Sequence, residues 1–154
     1  MRLKLSVAGL VLILVVFNIL IIQKERALAR GISVCLELRP VDPRSLMQGD
    51  YMVLRYALAD QLNYGEDGIH LAYLTVGDDR VAVAASSTPT PGAVVIKARK
   101  FNGSVFFGAE SFFFQEGQGD IYAQARYGEL KVDSSGSAVL ARLLDEKKQP
   151  ISPK

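Results

Sequence analysis

Hydrophobic and polar positions divide the chain into two regimes. Leu5 to Ile22, LSVAGLVLILVVFNILII, runs eighteen residues without a charge. An uncharged run of this length is read as a helix. Such a helix would be about 27 Å long at about 1.5 Å per residue, close to the hydrocarbon thickness of a bilayer. QKERALARG, from Gln23 to Gly31, can extend the helix by two turns, and Gly31 suits its C-terminal cap. From Ile32 the period changes to two. Ile32, Val34, Leu36 and Leu38 alternate with Ser33, Cys35, Glu37 and Arg39, which predicts a half-buried strand with Cys35 on its polar, partly exposed face.

Further on, Asp42 before Pro43 reads as a helix N-cap, PRSLMQ as one helical turn, and Gly49 as its left-handed end. A strand is predicted from Tyr51 to Leu58. Met52, Leu54, Tyr56 and Leu58 share its core face, and Tyr51, Val53, Arg55 and Ala57 the other. ADQLNYGEDG is a loop with room for a helical turn. IHLAYLTV and VAVAASS form a hairpin around GDDR, and AVVIKARKF ends in an Asn102-Gly103 hairpin turn. SVFFGAESFFFQEG has strand character broken at Gly108, GDIYAQARYG suits a short helix, and YGELKV pairs with AVLARLL through DSSGS. The polar tail DEKKQPISPK is expected to fray. About seven strands in this length predict a mainly β fold: an antiparallel sandwich or small barrel with one or two short helices, following one N-terminal transmembrane helix. The expected organisation is a membrane anchor at 1–22 (helix 5–22), a juxtamembrane helical linker at 23–31, a β-rich extracytoplasmic domain at 32–145 and a polar tail at 146–154.

Charge sharpens this picture. Arg2 and Lys4 are the only charged residues before Gln23, and they account for the whole excess of 18 Lys+Arg over 16 Asp+Glu. The rest of the chain is balanced, which argues against nucleic acid as a partner. Ala27-Leu28-Ala29 resembles a signal-peptidase site, but the apolar run is longer than a signal peptide's and charged residues intervene, so a retained anchor is expected. The very short N-terminal flank with Arg2 and Lys4 favours an N-terminus inside the cytoplasm and a domain outside it. With one Cys and one His, neither an internal disulfide nor a tetrahedral zinc site is expected, and no cofactor is implied.

Candidate chemistry is sparse. Ser45 with Lys97 or Lys100 as base would suit a membrane-bound serine hydrolase of the signal-peptidase type, but RSLMQGD lacks that Ser-Met-x-Pro context. His70 shares a strand face with Ala72, Leu74 and Val76, where a packed or edge residue is the simpler reading. Asp50, Glu110, Glu116 and Glu129 could pair only if the fold brings them together. No phosphate loop or dinucleotide fingerprint is present. Phe106, Phe107, Phe112, Phe113, Phe114 and Tyr122 form an aromatic cluster. Alternation that turns Phe112 and Phe114 inward turns Phe113 outward, toward lipid or a partner. Tyr51, Arg55, Arg126 and Tyr127 could line a groove for an envelope glycan or peptide.

GDYMVLRY, Gly49 to Tyr56, resembles the pattern that names the GDYXXLXY family of bacterial membrane-anchored proteins. Gly49, Asp50, Tyr51, Leu54 and Tyr56 are the matching positions. PVDPRSLMQ before it, and FFFQEG and ARYGELKVDSSGSAVL after it, are similar to that family's flanking and second blocks. The resemblance implies anchoring in the inner membrane with a periplasmic domain, a multi-span membrane protein encoded nearby as partner, and no assigned catalytic residue. The expected function is therefore a non-enzymatic accessory or interaction subunit of an envelope complex in contact with the lipid bilayer, with Tyr51, Arg55 and Phe113 as partner contacts. The alternatives are the Ser45 hydrolase and the glycan- or peptide-binding module.

Overall fold

A computed structural model describes residues 2–39 and 51–152. The predicted helical turn at 43–48, with Ser45, and the motif residues Gly49 and Asp50 lie outside the described residues. The chain is mainly β, with antiparallel sheets and one long helix.

Helix α1 spans Arg2–Arg30, so the linker continues the apolar run as one helix and Gly31 bends the chain out of it. Every described side chain of α1 is exposed. Asn18, the polar residue in the middle, donates its side-chain amide to the Leu14 carbonyl at 2.8 Å, which ties one of its polar groups to the helix's own backbone. Among the described residues no helix is long and apolar enough to cross a membrane. The side chains of Leu5 and Ala8 are outside the described set, and the apolar stretch from Gly9 gives way after Ile22 to Lys24, Glu25 and Arg26.

Nine strands follow among the described residues. β1 (Ile32–Glu37), β8 (Tyr127–Val132) and β9 (Ala138–Leu144) form one sheet with β8 central. β2 (Tyr51–Val53) and β7 (Ser111–Phe113) form a ribbon. β3 (Gly68–Val76), β4 (Ala82–Ser86), β5 (Val94–Phe101) and β6 (Ser104–Phe106) form a third sheet in the order β4-β3-β5-β6. A 3-10 helix covers Ala57–Gln61, and the short α2 covers Gly119–Tyr122. Isolated bridges tie the sheets at their margins: Cys35 to Val81 joins β1 to the start of β4, and Leu38 to Tyr56 joins β1 to the segment after β2. Asn102 and Gly103 both have positive φ, 48° and 75°, as a tight β5–β6 turn of this kind requires.

Alternating side chains of all three sheets meet in one core. Val34, Leu36, Leu130 and Val132 come from the first sheet, Ala72, Leu74, Ile96 and Ala98 from the third, and Met52 from the ribbon. Three expectations need correction. Cys35 is buried rather than partly exposed: the Arg80–Val81 segment pairs along the free edge of β1, with the Arg80 carbonyl taking the Cys35 amide at 2.8 Å, and Leu144, Lys148 and Pro150 gather around the same spot. Burial, then the neighbouring Glu129, pushes its thiol pKa up, which makes it a poor thiolate. The strand expected over Tyr51–Leu58 stops at Val53. Its partner β7 begins at Ser111, Gly108 (φ 79°) has turned the chain before it, and the 3-10 helix starts at Ala57. The tail does not fray at 145. The Ile151 amide bonds the Leu143 carbonyl, Pro150 bridges Leu144, and Ile151 packs on the core.

Candidate functional site

The described part of the motif is paired from its first residue and turns Met52, Leu54 and Tyr56 into the core. Tyr51, Met52 and Val53 pair with Phe113, Phe112 and Ser111. The Leu54 amide then bonds the Glu110 carbonyl at 2.6 Å and extends the ribbon by one contact. Met52, Leu54, Tyr56 and Leu58 are all buried, so the two-residue period survives even where the strand does not. Tyr56 is keyed in at three points. Its hydroxyl donates to the Ala109 carbonyl at 2.6 Å, and its ring meets Phe107 at 5.7 Å between centroids. Its edge lies over Gly128, where a Cβ would come within 3.2 Å of the Tyr56 ring. Burial, with Glu110 nearby, raises the phenol pKa far above that of an ordinary tyrosine.

Beside this anchor point lies a groove of about 260 Å³. Its floor is Leu54 and Tyr56, its walls are Val105 and Phe106, and Arg39, Arg55 and Glu110 supply its charge. Arg39 pairs with Asp60 at 2.9 Å, an exposed ion pair of small energetic weight. The Arg39 amide bonds the Arg55 carbonyl at 2.7 Å, which fixes the two arginine backbones side by side. Among the described residues the Arg55 guanidinium has no ion-pair partner. Glu110 closes the β6–β7 turn, with Oε1 accepting the Phe107 amide. Burial raises its carboxyl pKa, and amides of the same turn, Phe107 first, draw it part of the way back. An acid held this way braces a turn.

The outer face of the ribbon carries the exposed aromatic. Phe113 is 74% exposed, and Tyr51 covers one side of it at 5.8 Å between ring centroids. Phe112 and Phe114 turn inward and pack around Tyr122, with centroids at 4.8 and 5.6 Å. Arg55 lines the groove, whereas Arg126 and Tyr127 do not. Leu38 holds the two segments near one another, bridged to Tyr56 and bonded to the Arg126 carbonyl at 2.8 Å.

The remaining sequence candidates are dispersed. His70 stacks on Tyr64 at 4.2 Å and 9°, and its Nε2 bonds the Glu66 carbonyl at 2.9 Å, so it holds a loop against β3. Lys100 is spent on the Tyr64 and Gly65 carbonyls, and Lys97 lies 3.4 and 3.5 Å from the Ser135 and Ser137 hydroxyls. Glu129 pairs with Arg142 at 2.9 Å. Among the described residues no His, Cys, Asp and Glu side chains gather into a metal-binding group. Sequence reasoning missed the roles of Gly128, Glu110 and Arg39. The signal for Gly128 was a glycine inside a strand pattern, which marks a close approach.

Comparison with curated proteins and with solved structures returns no match. The profile described as GDYXXLXY protein matches residues 13–143. That match takes in most of the chain, from within the apolar helix through the groove to the last strand. The chain therefore belongs to the GDYXXLXY protein family.

Proposed function

We propose that this chain is a single-pass protein of the bacterial inner membrane, and that its β domain, on the periplasmic side, is a non-enzymatic docking subunit for a multi-span membrane protein. The observation that carries the proposal is α1. From Leu10 to Ile22 its large apolar side chains stand exposed all round the helix. A helix apolar on every side belongs in a protein core or a membrane. The β domain has a core of its own, to which none of the described side chains of α1 contributes. With Leu5 and Ala8, both uncharged, the run reaches bilayer length. Arg2 and Lys4 at the short N-terminal flank favour an inside N-terminus.

Docking is supported by the ribbon face. Phe113, Tyr51 and the half-exposed Val53 make an apolar aromatic surface beside Arg55, which has no ion-pair partner among the described residues; Tyr and Arg are residue types that anchor protein interfaces. Photoreactive residues at positions 113 and 55, activated in intact cells, test this. The expected result is one multi-span membrane protein captured from both positions, with capture from position 55 lost when Phe113→Ser is added. If neither position captures it, and Ser45→Ala alone abolishes the cellular phenotype in a stably folded protein, the hydrolase reading replaces this one.

A further inference from the structure

Where α1 leaves its apolar run and meets the β domain, a groove of about 550 Å³ opens between the last two turns of the helix and the β8–β9 turn. Lys24, Arg26 and Arg30 line one side, and Ser134, Ser135 and Ser137 the other. We propose that this groove binds the phosphodiester headgroup of an anionic phospholipid, a reading that rests on α1 being a membrane anchor.

The charge in the groove is one-sided. Arg26 and Arg30, four residues apart, share a helix face. Among the described residues none of the three cations has an ion-pair partner. Among the described residues Asp133 is the only carboxylate lining the groove, and it is already engaged within its own turn. Its Oδ1 accepts the Ser135 amide at 2.8 Å, the Ser137 amide at 3.0 Å and the Ser135 hydroxyl at 2.7 Å. Lys97 on β5 stands behind the same turn, 3.4 Å from the Ser135 hydroxyl, as a fourth cation. The C-terminal end of α1 carries about half a negative charge from its free carbonyls, which the three cations outweigh. The turn is itself pinned in place: the Lys97 amide bonds the Gly136 carbonyl at 2.7 Å, and Gly136 has a φ of 80°.

Depth matches as well. On the helical rise, Lys24 and Arg26 lie about 3 and 6 Å beyond Ile22, and Arg30 about 12 Å beyond it. The headgroup layer extends about 5–7 Å past the hydrocarbon on each side. Lys24 and Arg26 therefore sit at phosphate depth, and Arg30 can reach back to it along its own side chain. A free anion in bulk water has no reason to be presented at that depth; a lipid headgroup is held there.

The test uses the full chain in non-ionic detergent, titrated with dihexanoyl-phosphatidylglycerol, dihexanoyl-phosphatidylcholine or inorganic phosphate. The phosphatidylglycerol should bind and the phosphatidylcholine should not. Each cation near an anionic lipid surface is worth about fivefold in affinity, so Arg26→Gln with Arg30→Gln should weaken binding about 25-fold, and Arg26→Lys with Arg30→Lys should restore most of it. Equal binding of the two lipids, or undiminished binding by the glutamine variant, overturns the proposal. Inorganic phosphate binding as tightly as phosphatidylglycerol also overturns it, by making the groove a general anion site. In parallel, the wild type and the glutamine variant are mixed with phosphatidylcholine vesicles and floated. Both should float. A chain that floats but shows no lipid preference overturns this inference alone, whereas a wild type that stays behind overturns the anchor and this inference with it.

Discussion

Tyr56→Phe separates an architectural motif from a functional one. The substitution removes one oxygen from a residue that is 3% exposed and leaves the Ala109 carbonyl, its partner at 2.6 Å, without the donor it faces. A net hydrogen bond contributes about 1 kcal/mol, and a buried acceptor left unsatisfied costs about 1–3 kcal/mol, so a loss of about 2 kcal/mol is expected. For a domain of this size that is a fall of about 6–10 °C in Tm, read by thermal unfolding of the full chain in detergent. Tyr51→Phe is the control. The Tyr51 hydroxyl has no hydrogen bond among the described residues, so its loss should change stability by less than about 0.5 kcal/mol. The two variants should also differ with pH. Burial raises the folded pKa of Tyr56 above the ordinary 10.0, so its contribution is present below about pH 10 and fades as pH rises through that value, where the unfolded phenol ionises first. The gap between wild type and Tyr56→Phe should therefore narrow above pH 10. A Tyr56→Phe protein that melts with the wild type at neutral pH would refute the keyed-in role of the ring and its hydroxyl.

Two further outcomes follow from the same region. Burial raises the Glu110 pKa above its ordinary 4.5, so the folded state favours the protonated acid; the wild type should lose stability as pH climbs from about 4.5, whereas Glu110→Gln should show a flatter profile in urea titrations at successive pH values. Gly128→Ala would place a Cβ 3.2 Å from the Tyr56 ring and 3.3 Å from the Leu140 methyl, and overpacking of this kind costs about 1–3 kcal/mol; the loss should shrink when Leu140→Ala is added, as a double-mutant cycle would measure.

Local pattern carried much of this architecture. The alternation at Met52, Leu54, Tyr56 and Leu58 marked the buried face correctly, since burial follows the pleat even beyond the last ladder bond. Asn102-Gly103 marked its turn because few other pairs accept two positive φ values. Phe112, Phe113 and Phe114 divided in, out and in, the alternation of β7 carrying one residue past its end. What was not legible depends on partners distant in sequence. Nothing near Cys35 announces that Arg80 and Val81 will pair along its edge of the sheet. Nothing near Leu58 announces that pairing with β7 and its approach will end at Leu54. Ile151 looked like part of a polar tail because its backbone partner, Leu143 on β9, is reached only through a turn at 145–149. The motif groove stayed hidden for the same reason. Arg39, Arg55 and Glu110 are far apart in the chain, and only the β1 and β7 pairings bring them together.

The central claim is that α1 holds the β domain on the outer surface of the inner membrane. Protease added to spheroplasts expressing the full chain with a C-terminal tag tests it most directly, followed by carbonate extraction of the membranes. The account predicts that the tag is digested from outside while an N-terminal fragment containing α1 stays in the carbonate-washed membrane. A tag protected until the cells are lysed would contradict the orientation. A soluble product beginning near Arg30, released by cleavage after Ala27-Leu28-Ala29, would contradict the anchor itself.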